Sequence, residues 1–298
     1  MTGTSLELEV MIHRQKLENR TPLLIICSID FPIPPSIKFC EMMWKAGYQV
    51  VFCRRPGFGK LPGLPEALLT KPQVKNQSAI ASESALFSLL INTLELENFV
   101  LLGLGTSNSI CYRLVQLHPE VKFCIFANPL FHPAIWDVIK PAWLKQMIRQ
   151  TLMSRSGLKI ALSGLKAVLR RDPIWFYRQF AQKSPGDQAY VKQNEADFRS
   201  AGLLLQNIAG ETFYYDLQNA LVEDTRWDPN LTRTMNAVIL SGEESTEKWK
   251  ASIIAEADRL ALPIRFAKAG DLFVPYVSPD VLLEVLSAHA PVVAGKHS

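Results

Sequence analysis

No stretch of about 18 consecutive apolar residues occurs in this chain, the length a helix needs to cross a bilayer. A membrane span is therefore not expected. Histidine is scarce: His13, His118, His132, His289 and His297 are the five in 298 residues. The five cysteines, Cys27, Cys40, Cys53, Cys111 and Cys124, form no C-x-x-C pair and no His–Cys cluster at zinc spacing. That argues against a metal site and favours buried, reduced thiols acting as small hydrophobes. G-x-x-x-x-G-K-[ST] is absent, and no G-x-G-x-x-G follows the first strand-like run. Nucleotide binding is not expected, and neither is any cofactor. The opening MTGTSLELEVMIHRQ alternates and carries charge. It lacks the basic start and apolar stretch of a signal peptide, so a cytoplasmic location is the expectation. Net charge is only +4, too small to suggest nucleic-acid binding by the whole chain.

What the chain does have is a series of short apolar runs. SLELEVMIHR alternates like an edge strand. PLLIICSI, YQVVFC, NFVLLGL, KFCIFANP, NAVILSG and LPIRFAKAG follow, each reading as a strand buried on both faces, the habit of parallel sheets. Helical patterns separate them: PSIKFCEMMWKAG, SAIASESALFSLLINTLEL, NSICYRLVQLHP and STEKWKASIIAEADRLAL. Strands alternating with helices predict an α/β fold around a mostly parallel central sheet. From about residue 135 to residue 232 the pattern is helical only. A helical insertion over the sheet is the expectation, with residues 1–134 and 233–298 forming the core.

This order of elements resembles the α/β-hydrolase fold over essentially the whole chain, and local segments carry the likeness further. DFPIPP, after the run LLIICSI, is similar to the family's His-Gly-Phe-Pro oxyanion loop. RRPGFGKL is similar to its Asp-x-Pro-Gly-x-Gly loop. FVLLGLGTSNSICYRLVQLHP, Phe99 to Pro119, resembles the nucleophile elbow, where a strand turns sharply into a helix. In the family, His-Pro commonly closes that helix about fourteen residues past the serine. Counting back from His118-Pro119 places glycine, Gly105, at the nucleophile position.

The resemblance implies the other two roles in the order acid, then histidine. Ser245, in GEES, falls at the acid position, with Glu243, Glu244 and Glu247 as possible stand-ins. Asp271, in AGD, falls at the histidine position, and no histidine lies between His132 and His289. Ile29 and Asp30 occupy the His-Gly positions of the oxyanion loop, where an aspartate opposes a developing negative charge. The Thr106 amide remains as a donor. Ser107 is the fallback nucleophile, although Ser and Asn are ordinary first-turn residues. His132 is a candidate for the pocket mouth. Arg54-Arg55 read as a solvated surface pair.

Between Ile139 and Arg171 lie Lys140, Lys145, Arg149, Arg155, Lys159, Lys166, Arg170 and Arg171, without one acidic residue. Trp143, Met147 and several leucines interleave with them. Such a pattern serves either to pack on the core or to meet lipid, nucleic acid or protein. The functional expectation is a non-catalytic hydrolase-fold protein with a lidded pocket for a small apolar ligand, or a surface for a protein partner, in a regulatory setting. Its rivals are an esterase using Ser107 with an unconventional base, and an interaction scaffold dimerising through the insertion.

Overall fold

The computed structural model describes residues 8–15, 17–59, 75–131, 141–152, 154–221 and 227–290. Seven strands form one sheet: β1 (Glu9–Ile12), β2 (Thr21–Ile26), β3 (Tyr48–Arg54), β4 (Phe99–Leu104), β5 (Val121–Ala127), β6 (Ala237–Gly242) and β7 (Ile264–Ala267). Their spatial order is β1-β3-β2-β4-β5-β6-β7. β1 runs antiparallel to β3, and every other pairing is parallel. β3, β4 and β6 are buried along their whole length, because helices cover both faces of a parallel sheet. β7 differs from expectation: Ile264, Arg265 and Phe266 keep some exposure. It is an edge strand, so only one neighbour shields it.

Helices α1 (Ile37–Lys45), α2 (Lys75–Thr93) and α3 (Asn108–Leu117) connect the early strands. After β5 come α4 (Ala142–Leu152), α5 (Arg155–Arg171), α6 (Trp175–Phe180), α7 (Pro185–Gln193), α8 (Glu195–Gln206), α9 (Gly210–Leu221) and α10 (Pro229–Thr232). No strand interrupts this stretch among the described residues. Its expected starting point near residue 135 lies outside them. α11 (Glu247–Leu260), α12 (Val274–Val277) and α13 (Pro279–His289) complete the chain. Side chains start several helices by accepting from the first turn, as Ser36, Ser154, Ser184 and Thr246 do.

Two apolar clusters fill the faces of the sheet. One gathers Leu23, Ile25, Val50, Val100, Leu102 and Phe123 with α1 and α13. The other gathers Leu24, Val51, Leu101, Cys124 and Ile239 with α2, α3 and α11. Alternate residues of each strand thus serve opposite faces. All five cysteines are buried and unbridged. No helix among the described residues is long and apolar enough to cross a membrane.

Candidate functional site

The site lies where β4 ends, and it follows from the first turn after that strand. Gly103 lets α3 press close: a Cβ there would stand 2.6 Å from Asn108 Oδ1 and 2.7 Å from Cys111 Sγ. Gly105 then opens a single 3-10 turn, Gly105–Ser107, with φ at +50°. Glycine enters that region almost freely, whereas any other residue is strained there.

What surrounds Gly105 decides what the turn can do. A Cβ on it would point at Ser28, 2.7 Å from the hydroxyl oxygen, and lie 3.9 Å from Asp30 Oδ1. The space a nucleophile's side chain would take is therefore held by Ser28. That hydroxyl donates to Asp30 Oδ1 and accepts, at 3.4 Å, from the Thr106 amide. The Ile29 amide donates to Thr106 Oγ1 at 3.2 Å. Both amides beside the elbow are thus engaged by hydroxyl groups of the protein itself. Burial pushes the Asp30 carboxyl up, against the lowering effect of the Ser28 hydrogen bond.

Beneath this turn lies a buried ionic cluster. Arg55 is fully buried and bridges Glu83 of α2 and Asp216 of α9. It also reaches Thr106 Oγ1 at 3.2 Å, and Thr106 donates to Asp216 Oδ2 at 2.7 Å. Burial disfavours the Arg55 charge, but Asp216 and Glu83 outweigh it and hold the guanidinium above its ordinary range. Burial pushes Glu83 up, and Arg55 opposes it. The reading of Arg54-Arg55 as a solvated pair is thereby corrected. Arg54 is also buried, donating from Nε to the Pro32 carbonyl and pairing with Glu9. A cation in this loop is retained because carboxylates from distant elements meet it.

Ser107, the fallback nucleophile, ends the 3-10 turn. It is fully buried, and its hydroxyl is spent on backbone, accepting from the Leu104 amide at 2.8 Å and reaching the Ile26 and Leu104 carbonyls. Ser245 and Asp271, chosen by chain order, meet: the Ser245 hydroxyl donates to Asp271 Oδ1. Burial raises the Asp271 carboxyl, partly offset by that bond. Of the acidic stand-ins, Glu243 and Glu247 are exposed. Glu244 instead accepts from the Ser184 hydroxyl at 2.5 Å and from the Gly186 and Gly270 amides, each at 2.9 Å. Burial would raise Glu244, but these donors hold it below its ordinary value. Asp187 of α7 reciprocates, accepting from the Asp271, Leu272 and Phe273 amides. Two carboxylates thus tie the helical insertion to the loops after β6 and β7.

No described histidine stands at the site. His118 bonds Ser88 at 2.7 Å, His13 faces Glu41 and His289 stacks on Phe123; His132 and His297 lie outside the described residues. No cluster of three metal-ligating side chains occurs among the described residues. Between sheet and insertion, Phe31 packs against Tyr177, Phe198, Phe273 and Tyr276, with ring centroids 4.7–6.3 Å apart. A cavity of about 420 Å³ lies elsewhere, among α6, α7 and α8, lined by Ile174, Arg178, Val191 and Lys192.

Sequence reasoning missed Ser28, Glu83, Asp187 and Asp216. The one available signal was an arginine in a loop where the family has a carboxylate, since an arginine drawn inward needs acidic partners. Installing a side chain at the turn tests the geometry. Gly105→Ser is expected to lower unfolding free energy by about 1–2 kcal/mol and to give no esterase. Adding Ser28→Gly should recover part of the stability in guanidinium melts.

No protein-family model matches the chain, and no curated protein matches it by sequence. Solved structures do match in shape. A carboxylesterase of Nitrososphaera gargenis aligns with TM-score 0.62 at 14% identity, covering 97% of this chain and 96% of that one. A proline iminopeptidase-related protein of Thermus thermophilus aligns at 0.59 and 19%, covering 95% and 94%. A bromoperoxidase of Bacillus anthracis aligns at 0.59 and 15%, covering 95% and 94%. With a seven-stranded, mostly parallel sheet and this likeness along nearly its full length, the chain has the α/β-hydrolase fold.

Proposed function

We propose that this chain is a non-catalytic hydrolase-fold protein that acts by binding. One observation carries the reading: the elbow residue is Gly105, and the Ser28 hydroxyl fills the space a nucleophile's side chain would need. The positions that the resemblance matches to nucleophile, acid and base hold Gly105, Ser245 and Asp271. Loss of a nucleophile or of a base alone lowers a triad enzyme's rate by about 10⁶. The residual contribution of an oxyanion hole requires free donors, and the Thr106 and Ile29 amides are engaged.

The same packing bears on what it binds. The rings around Phe31 pack closely between sheet and insertion, which weighs toward a partner on the outer surface. The Tyr177 and Tyr276 hydroxyls support the small-ligand reading. Both are buried without a hydrogen-bond partner among the described residues, so an acceptor on a ligand that reached either would satisfy it.

A fluorophosphonate probe and a panel of p-nitrophenyl esters test the absence of chemistry. The expected result is no stoichiometric labelling and no turnover above a buffer control. Labelling of Ser28 together with turnover abolished by Ser28→Ala would overturn the proposal.

A further inference from the structure

The acid-free basic segment of the insertion is not used by the site, and it does not simply pack on the core. α5 has two faces. Leu158 and Leu169 are buried, and Leu162, Leu165 and Leu169 pack with Leu205 and Ile208. On the opposite side, Lys159, Ile160, Ser163, Gly164, Ala167, Arg170 and Arg171 are exposed. Helical spacing sets Ile160 beside Ser156, Ser163 and Gly164, with Lys159 next to it in sequence and Arg171 on the same stripe further along the helix. Ile160 is 72% exposed, so an isoleucine stands in water on the face that also carries cations along the helix. α4, which packs on α5, repeats the pattern. Trp143 and Met147, one helical turn apart, are 67% and 49% exposed. No residue of α4 whose side chain is described is fully buried.

Charge and apolarity here have no internal use. Lys145, Lys159, Arg170 and Arg171 pair with no carboxylate among the described residues, unlike Arg178, Arg199 and Arg265. Lys166 is the exception, donating to the Ile208 carbonyl. The sequence from residue 139 to residue 171 itself contains eight cations and no acidic residue.

We infer that the α4–α5 hairpin docks the protein onto an anionic lipid surface. A bilayer interface is the partner that uses both features together. Anionic headgroups attract Lys and Arg, tryptophan settles at headgroup depth, and aliphatic side chains enter the acyl boundary. Phosphate backbones would use the cations but leave Met147 and Ile160 unrewarded. The inference is independent of whether the site above performs chemistry.

The test uses the whole chain with vesicles of phosphatidylcholine alone and vesicles enriched in phosphatidylglycerol. Sedimentation should show binding to the second and not the first, weakening as salt is raised. Tryptophan emission should shift to the blue on binding, and Trp143→Phe should remove most of that shift. At about 1 kcal/mol per cation, the double variant Lys159→Gln/Arg170→Gln should bind about 30-fold more weakly. Its melting temperature should stay unchanged, because both side chains are exposed. Equal binding to both vesicle types, no binding to either, or binding indifferent to the Trp143 and Lys159/Arg170 changes would overturn the inference. So would salt-sensitive binding to duplex DNA or to an acidic protein, or dimerisation through this face, without vesicle binding.

Discussion

Arg55→Met is expected to lower the unfolding free energy by about 3–5 kcal/mol, the range for stripping one partner from a buried ionic cluster. The melting temperature should fall on the order of 10 °C. The lost guanidinium leaves Glu83 and Asp216 facing each other, both buried. Neither carboxylate pairs with another cation among the described residues, and Thr106 Oγ1 supplies Asp216 with a single neutral donor. Guanidinium titration followed by circular dichroism reads the effect as a lower midpoint at unchanged slope.

The same experiment separates the worth of the pair from the penalty of breaking it. Arg55→Met/Glu83→Gln/Asp216→Asn removes every charge at once and should regain most of the lost stability, since a neutral cluster escapes the desolvation penalty. If the single variant loses less than about 1 kcal/mol, the cluster is not what fastens α2, α9 and the loop after β3 together. That fastening bears on the site, because Asp216 holds the Thr106 hydroxyl that engages the Ile29 amide.

The strands were legible because a parallel sheet imposes apolar runs on the chain, and β2 to β6 each overlap a run read as a strand, beginning or ending at most one residue outside it. β7 was legible in place but not in exposure, since being an edge depends on which strand lies beside it. Gly105 could be found because elbow, helix and His118-Pro119 are contiguous and local counting suffices. The Arg55–Asp216 contact joins residues 161 apart, and the Asp187–Leu272 contact joins residues 85 apart. No periodicity reports such pairings, because each partner sits in an unremarkable local pattern. Arg55 shows the error that follows: next to Arg54 in a glycine loop it looks solvated, and only the fold brings Glu83 and Asp216 to it. Ser28 was passed over for the same reason. It precedes the loop positions that the resemblance singles out, and its closeness to Gly105 exists only across two neighbouring strands.

Asp187→Asn is expected to flatten the pH dependence of stability, and the sign follows from burial. Desolvation pushes the Asp187 carboxyl up to about 6 from 3.8, although three backbone amides oppose it. Its protonated form therefore suits the folded state better than its ionised form. The resulting stabilisation is fully present below the unfolded value and is lost as pH rises through the folded one. A shift of this size amounts to about 3 kcal/mol, of which roughly 2 kcal/mol should appear between about pH 7.5 and about pH 4.5. Asp30, Glu83 and Asp271 are also raised by burial and act in the same direction. Glu244 is lowered, so its contribution is present at neutral pH and fades on acidification. The wild-type chain should thus be more stable at mildly acidic than at neutral pH, opposite to a protein dominated by surface ion pairs. The side-chain amide of the variant cannot ionise, so denaturation of the variant at the two pH values should differ by about 2 kcal/mol less than that of the wild type. Equal pH slopes in the two proteins would mean that water reaches Asp187, and that the insertion lies less tightly on the loop after β7 than its hydrogen bonds to Asp271, Leu272 and Phe273 imply.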